Sequence, residues 1–163
     1  MRVITGKARG VQLKTPDGMN TRPTTDRVKE ALFSIIHFDI PGSSVLDLFA
    51  GSGGIGIEAL SRGASEAVFV DASAECQAVI TDNLKHTKLQ DRAKLMKTDV
   101  LSALDKLAAE GKSFDIIFMD PPYDMEHEKR ILSILGGMKY VTEDTIIIVE
   151  ASLSTKMDYA SDY

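Results

Sequence analysis

The sequence predicts an α/β fold: an open, Rossmann-like parallel sheet with helices on both faces, preceded by an N-terminal appendage. Two observations support this prediction. From residue 44 onward, short apolar runs alternate with segments of helical periodicity, and a glycine-rich turn follows the first of these runs. Strands that alternate with helices form βαβ units, whose right-handed crossovers produce a parallel sheet covered on both sides.

Residues 1–40 precede this alternation, and we expect them to form a hairpin and a helix. Val3-Ile4 and Val11-Gln12-Leu13 flank a glycine-bounded turn, which is typical of a small β-hairpin. Pro23-Thr24-Thr25-Asp26 supplies residues that start a helix, and Pro41-Gly42 ends it. The apolar positions that follow at helical spacing, and so predict the apolar face, are Val28, Leu32, Ile35 and Ile36.

Residues 44–150 contain the regular alternation. Strands are predicted at 45–49, 67–71, 94–97, 114–119 and 145–149, with helices at 55–62, 101–110 and 128–135. One more helix follows the second strand, because Cys76, Val79, Ile80 and Leu84 recur on a single helical face. Ligands of such sheets bind outside the carboxyl ends of the strands, so the residues that follow each strand are the candidates for a site.

The composition excludes several classes of protein. The chain has 163 residues, of which 44% are hydrophobic. Its longest apolar runs are far shorter than the roughly 20 residues that cross a bilayer, and its first residues lack the apolar stretch of a secretory signal. One cysteine and three scattered histidines predict neither an internal disulfide nor a zinc site. We therefore expect a cytoplasmic protein with no membrane partner and no metal.

The charge is unevenly distributed along the chain. The formal net charge is −5, yet residues 1–30 hold seven basic and three acidic side chains, and the first sixteen residues hold four cations and no anion. The acidic total argues against a nucleic-acid partner, since phosphates are neutralised by Lys and Arg. The basic N-terminus allows two interpretations, which are a solvated end and an electrostatic footprint for a polyanion.

A glycine-rich turn follows the first predicted strand. Residues 51–56 read Gly-Ser-Gly-Gly-Ile-Gly and match the pattern G-x-G-x-x-G. Glycines admit a ligand close to the backbone, and free N–H groups at the helix start face it. The pattern alone favours a dinucleotide, with Asp71 on a ribose hydroxyl. Glycines that serve only tight packing of helix against strand are the structural alternative.

Acidic side chains near three successive strand ends argue against a dinucleotide. Asp47 lies four residues before the first glycine, Asp71 ends the second strand, and Asp99 follows the third. A carboxylate beside the loop repels a pyrophosphate but suits a ligand that carries an ammonium group and a sulfonium cation. Each Asp alone is also a common helix cap. The three together predict a pocket for S-adenosylmethionine.

The segment Asp120-Pro121-Pro122-Tyr123 directly follows the fourth predicted strand. Two prolines fix φ and remove two N–H donors, so the loop presents carbonyl groups and one carboxylate. Asp120 and the Pro121 carbonyl can accept both hydrogens of a planar amine, while Tyr123 stacks on the ring that bears the amine. A strand ended by proline, with Tyr123 packed at the edge of the core, is the alternative.

These motifs together resemble those of class I S-adenosylmethionine-dependent amino-methyltransferases, at residues 47–53, 71, 99 and 120–123. The N-terminus narrows the resemblance, because residues 2–6, Gly10 and the segment 22–33 (RPTTDRVKEALF) are similar to the RsmD family. The resemblance implies methylation of the exocyclic N2 amine of a guanine in bacterial 16S ribosomal RNA, presented as RNA or as a small-subunit particle.

The resemblance, read with the basic N-terminus, also implies a role for each matching position. The implied cofactor-binding residues are Asp47, Phe49, Ala50, Gly51, Ser52, Gly53, Asp71, Ala72, Asp99 and Val100. The implied catalytic residues are Asp120, Pro121, Pro122 and Tyr123. The residues expected to bind nucleic acid are Arg2, Lys7, Arg9, Lys14, Arg22, Thr24, Arg27 and Lys29.

We expect one domain, assumed monomeric, in three parts: the basic appendage at 1–40, the cofactor-binding and catalytic core at 44–150, and a tail at 151–163. The resemblance implies two further strands after the fifth, forming an antiparallel hairpin at the edge of the sheet. The tail is too short for both, so we expect a sheet that lacks its last strands.

Three other functions remain open at this point. A DNA adenine or cytosine amino-methyltransferase shares the Asp-Pro-Pro-Tyr loop but gives no reason for the N-terminal segment. An NAD-dependent oxidoreductase uses the same glycine pattern, although Asp47 and the absence of a substrate domain disfavour it. A non-catalytic RNA-binding module is the third, and the short tail favours it.

Overall fold

A computed structural model describes residues 1–16, 26–119, 125–136 and 144–149. Its sheet has five parallel strands in the order β3-β2-β1-β4-β5, which confirms the predicted fold class. The strands are β1 (Ser44–Leu48), β2 (Glu66–Val70), β3 (Ala93–Met96), β4 (Ile116–Met119) and β5 (Ile146–Val149). The helices are α1 (Asp26–Ile35), α2 (Gly54–Ser61), α3 (Ala74–Thr87), α4 (Val100–Ala109) and α5 (Met125–Gly136).

Two apolar clusters cover the two faces of the sheet. The first joins the N-terminal segment, α1, α2 and α3 to one face, and the second joins α4 and α5 to the other. Alternate residues of β1 divide between them, with Val45 in the first cluster and Leu46 and Leu48 in the second. Burial of β1, β2 and β4 on both faces explains why these strands read as largely apolar runs rather than as alternating ones.

The strand order places a crevice at the carboxyl end of β1. The chain runs outward from β1 through β2 to β3 and then returns to form β4 on the other side of β1. Leu48 pairs with Val70 of β2 and with Met119 of β4, so these three strands end side by side. A reversal of strand order of this kind opens the position where α/β sheets bind ligands.

The predicted apolar face of α1 is wrong in part: Leu32 and Ile36 pack on the first apolar cluster, but Val28 and Ile35 do not. Val28 is 47% exposed and Ile35 is 82% exposed, whereas Lys29 and Phe33 are fully buried. Relative to the predicted face, the helix is rotated so that Lys29 points inward, where its Nζ lies 3.2 Å from the buried carboxylate of Glu58 in α2. That ion pair offsets part of the desolvation penalty which normally keeps a lysine on the surface.

The N-terminal hairpin is confirmed only in part. Arg2 and Gln12 form one antiparallel bridge, and Val3 N donates to Val11 O at 2.9 Å. Among residues 1–16 this pairing does not extend into a regular ladder. The reason lies in α2, since Ile4 N and Thr5 N donate to the Glu58 carboxylate instead of to a facing strand. The expected helix-start residues 23–25 and the tail 151–163 lie outside the described residues.

Of the helices that the structure describes, none is long and apolar enough to cross a membrane.

Gly56 lets α2 approach the sheet, and its replacement tests this packing. A Cβ on Gly56 would overlap the ring of Phe69 in β2. We expect Gly56→Ala to destabilise the fold by about 1–3 kcal/mol through overpacking, whereas the same change in an open helix gains roughly 1 kcal/mol. Urea denaturation measures the difference. Phe69 is itself fully buried, so the reference is the single variant Phe69→Leu: Gly56→Ala should cost less in that background than in the wild type, and an undiminished cost would contradict the contact.

Candidate functional site

A loop of five residues, Phe49 to Gly53, joins β1 to α2 at the crevice. Three of its residues adopt left-handed backbone conformations: Phe49 (φ 59°), Gly51 (φ 59°) and Gly53 (φ 80°). Glycine adopts this region freely, whereas a non-glycine residue there is held at a cost of roughly 1 kcal/mol. Such held conformations cluster at binding sites. Phe49 is half-buried and packs at the edge of the second apolar cluster.

Backbone hydrogen bonds fix this loop and leave some of its N–H groups without acceptors. Ala50 N donates to Val70 O (2.9 Å) and Gly53 N donates to Ala50 O (2.8 Å). Within the described part of the chain, the N–H groups of Ser52, Gly54 and Ile55 have no protein acceptor. They lie at the start of α2, where the positive end of the helix dipole adds to them, so the loop can hold a carboxylate or hydroxyl oxygen of a ligand.

Asp47 lies beneath the loop rather than in the open crevice. Its side chain is 4% exposed, and Oδ2 accepts from Gly56 N at 3.2 Å. Asp47 therefore satisfies one of the orphan N–H groups of α2 from inside the fold. The carboxyl group lies directly under the loop, where in its ionised form it favours a cationic ligand above.

Asp71 lies at the end of β2, next to the loop. Oδ2 accepts from Gly51 N and Oδ1 accepts from Ser73 N, both at 2.9 Å. The side chain is half-buried, so its oxygens, each with one backbone donor, can also accept from ligand hydroxyl groups. The next residue, Ala72, is exposed at the same edge.

Asp99 is the N-cap of α4, as its helix-cap interpretation predicts. Oδ1 accepts from Ser102 N at 2.8 Å, and Oδ2 accepts from Ser102 Oγ at 3.0 Å. These hydrogen bonds stabilise the ionised form and lower the pKa of Asp99. Val100 begins α4 and is buried, so only its backbone is available to a ligand.

Two polar residues that sequence reasoning missed, Gln77 and Asn83, hold the site from α3. Gln77 Nε2 donates to Asp71 O (2.9 Å) and to Met96 O (3.0 Å), and Asn83 Nδ2 donates to Ser52 O (3.0 Å). Both side chains are at least nine-tenths buried. Their spacing along the sequence could have indicated that they are buried, because they recur at intervals of three residues with the apolar Ile80 between them.

The N-terminal segment, residues 1–16, lies along α2 and presents cations at both ends of that helix. Lys14 is at the loop end, where its N–H donates to Asn83 Oδ1 at 2.8 Å and its side chain is 71% exposed. Lys7 is at the far end, where its N–H donates to Ser61 O at 2.8 Å. The helix rises about 10 Å between Gly54 and Ser61.

Apart from Lys29, the other residues expected to bind nucleic acid divide into three groups. Arg9 follows Lys7 at the far end of α2 and is exposed. Arg2 pairs with Asp26 at 3.6 Å, and the exposed Arg27 follows Asp26 at the start of α1. Arg22 and Thr24 lie outside the described residues.

The prediction that Lys29 binds nucleic acid is wrong. Its side chain is fully buried, and Nζ donates to Arg2 O at 2.6 Å besides pairing with Glu58 at 3.2 Å. Burial lowers the pKa of Lys29, against the opposing effect of the Glu58 carboxylate. No phosphate can reach an ammonium group enclosed in this way, and Lys29 instead compensates the buried Glu58 carboxylate.

The predicted catalytic segment, Asp120 to Tyr123, also lies outside the described residues. The described part of β4 ends at Met119, opposite Leu48 of β1. Within the ranges that the structure does describe, no group of three or more His, Cys, Asp or Glu residues is placed to hold a metal ion.

Comparison with known proteins places the chain among methyltransferases. The family described as "Conserved hypothetical protein 95" matches residues 1–162. The chain is 42% identical over 150 residues to "Putative rRNA methyltransferase YlbH" of Bacillus subtilis, covering 92% of this chain and 82% of that protein. It is 33% identical over 153 residues to "Ribosomal RNA small subunit methyltransferase D" of Escherichia coli, covering 94% and 75%.

A solved structure agrees with these sequence relatives. "Putative methyltransferase yhhF from Escherichia coli" superposes with a TM-score of 0.82 at 32% identity, covering 96% of this chain and 84% of that one.

The cap formed by Asp99 gives stability that depends on pH. A carboxyl group whose pKa is lowered in the folded state stabilises the fold above its ordinary pKa, and this contribution is lost as the pH falls through the lowered value. We therefore expect Asp99→Ala to lower the melting temperature at neutral pH and the difference from the wild type to shrink in acid. Melting curves across acidic and neutral pH measure both. An unchanged difference throughout would contradict a role for the ionised carboxylate.

Proposed function

Because the chain belongs to the RsmD family of ribosomal RNA small subunit methyltransferases, we propose that it transfers a methyl group from S-adenosylmethionine to the exocyclic N2 amine of a guanine in 16S ribosomal RNA. The observation that carries this proposal is the loop between β1 and α2. Its N–H groups that lack an acceptor among the described residues, the buried Asp47 beneath it and Asp71 beside it are the groups that a cationic nucleoside would contact.

Each part of the donor has a complementary group. The N–H groups at the start of α2 bind the carboxylate of the methionine moiety, and the negative charge of Asp47 favours its ammonium group and the sulfonium. Asp71 accepts from the ribose hydroxyls, since its half-buried carboxylate is oriented by Gly51 N and Ser73 N. Asp99, which is exposed at the start of α4, lies next to the adenine.

The acceptor amine is a poor nucleophile because its lone pair is delocalised into the base. Asp120 and the Pro121 carbonyl orient it, Pro122 keeps the loop rigid, and Tyr123 stacks on the guanine. As the nitrogen attacks the methyl carbon, the carbon–sulfur bond breaks and its electron pair leaves with sulfur. The positive charge that develops on nitrogen is stabilised by Asp120, and the methylated ammonium, which is already acidic, then passes its proton to Asp120 or to water. Most of the rate enhancement comes from positioning the two substrates.

The basic N-terminal segment accounts for the RNA partner. Lys14 lies at the loop end of α2, Lys7 and Arg9 lie at the far end, and Arg2 and Arg27 lie near the start of α1. Together they neutralise phosphates along one flank of the domain. The target guanine leaves its stack to reach the crevice. Such a protein acts in the cytoplasm, where ribosomal RNA is available.

Replacement of Asp120 should impair methyl transfer without impairing binding of the methyl donor. We expect Asp120→Ala to reduce methyl transfer at least about 100-fold, since its carboxylate stabilises charge only in the transition state. Binding of S-adenosylhomocysteine, measured by calorimetry, should stay close to wild type. Asp124→Ala, which removes the carboxylate that directly follows this segment, is the matched control and should keep its activity. Unchanged turnover in Asp120→Ala would refute the catalytic assignment.

The cations at the far end of α2, Lys7 and Arg9, should affect the affinity for RNA and not the rate of methyl transfer. We expect Lys7→Glu with Arg9→Glu to raise KM for RNA, flatten the salt dependence of binding and leave kcat nearly unchanged, because phosphate contacts there are remote from the reacting atoms. The control is Lys106→Glu with Arg130→Glu, which reverses two exposed cations of α4 and α5 on the other face. Equal effects in both double variants would show non-specific attraction instead.

A further inference from the structure

We propose that Asn83 is a positioning residue for methyl transfer, which sets the conformation of the donor loop and fixes the N-terminal segment against it. The inference rests on the function proposed above. Asn83 is on α3, carries no charge and lies beneath the loop, so it touches neither substrate. Its effect is transmitted through the backbone of the loop.

The side-chain amide of Asn83 forms hydrogen bonds to both the donor loop and the N-terminal segment. It is 1% exposed, and Nδ2 donates to Ser52 O and to Lys14 O, both at 3.0 Å. Oδ1 accepts from Lys14 N at 2.8 Å. Both amide hydrogens and the amide oxygen thus have partners from outside α3. A buried amide with matched partners specifies one arrangement, because any other leaves polar groups unpaired at a cost.

The bond from Asn83 fixes one peptide plane of the loop at both ends. The carbonyl of the Ser52–Gly53 peptide accepts from Asn83, while its N–H donates to Ala50 O at 2.8 Å. The N–H groups of Ser52 and Gly54, which flank this peptide in the chain, are among those left for the donor. Ile80, one turn before Asn83, packs against Gly53, where an added Cβ would lie 3.2 Å from Ile80 Cγ1.

The same amide fixes the end of the basic segment. Both backbone polar groups of Lys14 bond to Asn83, whereas the Lys14 ammonium is exposed and lies 3.7 Å from Asp82. The donor loop and a cation that faces RNA are therefore attached to a single buried group. Residues that pack only against other helices could not provide this link.

Two variants and one control test the role of the Asn83 amide. Asn83→Leu removes every polar contact of the side chain at similar size. Asn83→Asp keeps an oxygen for Lys14 N but places a carboxyl oxygen, in place of the donor, against Ser52 O and Lys14 O. Thr87→Val is the matched control, because Thr87 is buried one turn later on α3 and donates only to carbonyls of its own helix, Asn83 O and Leu84 O. Calorimetry measures S-adenosylhomocysteine affinity at a temperature where melting curves show each protein folded.

We expect both Asn83 variants to weaken S-adenosylhomocysteine binding about tenfold, from the loss of one buried hydrogen bond that orders the loop, while Thr87→Val keeps wild-type affinity. If Asn83→Leu does not fold, Asn83→Asp decides the question alone. Wild-type affinity in Asn83→Asp, or an equal loss in Thr87→Val, would overturn the positioning role and leave the proposed function intact. A wild-type protein that does not bind S-adenosylhomocysteine would overturn both.

Discussion

The buried carboxylate of Glu58 is the interaction on which the arrangement of the N-terminal half depends. It is fully buried and accepts from Ile4 N (2.8 Å), Thr5 N (3.1 Å) and Arg62 Nε (2.8 Å), and Lys29 Nζ lies 3.2 Å away. A buried charge is tolerated only when it is paired and hydrogen-bonded. Because its partners come from the N-terminal segment, α1 and α2, the requirement to compensate Glu58 packs these three elements together.

The position of the site follows from that packing. Glu58 is on the helix that begins at the donor loop, so the segment bound to it runs along α2 and brings Lys14 to the loop end. Arg62 continues the cluster, since its guanidinium lies over the Phe33 ring at 4.8 Å from the centroid. Cations of the N-terminus are thereby divided between structure and surface: Lys29 compensates Glu58, and Lys7, Arg9 and Lys14 remain exposed.

The features that could be predicted from the sequence are those that depend on residues close together in the chain. The alternation of strands and helices, the glycine loop and the cap at Asp99 each depend on neighbouring residues, and all three are found in the structure. The buried pair Lys29 and Glu58 could not be predicted, because the partners are far apart in sequence and each residue alone is typical of a surface. For the same reason Val28 and Ile35 were assigned to the wrong face of α1. The roles of Asp120 to Tyr123 stay predictions.

The most direct test of the proposed activity is mass spectrometry of nucleosides from small-subunit ribosomal RNA of cells with and without the gene. The proposed reaction predicts that loss of the gene removes one N2-methylguanosine, and that purified protein with S-adenosylmethionine restores it in the deficient RNA or particle. An unchanged set of methylated nucleosides, or loss of a methyl group from another base, would contradict it.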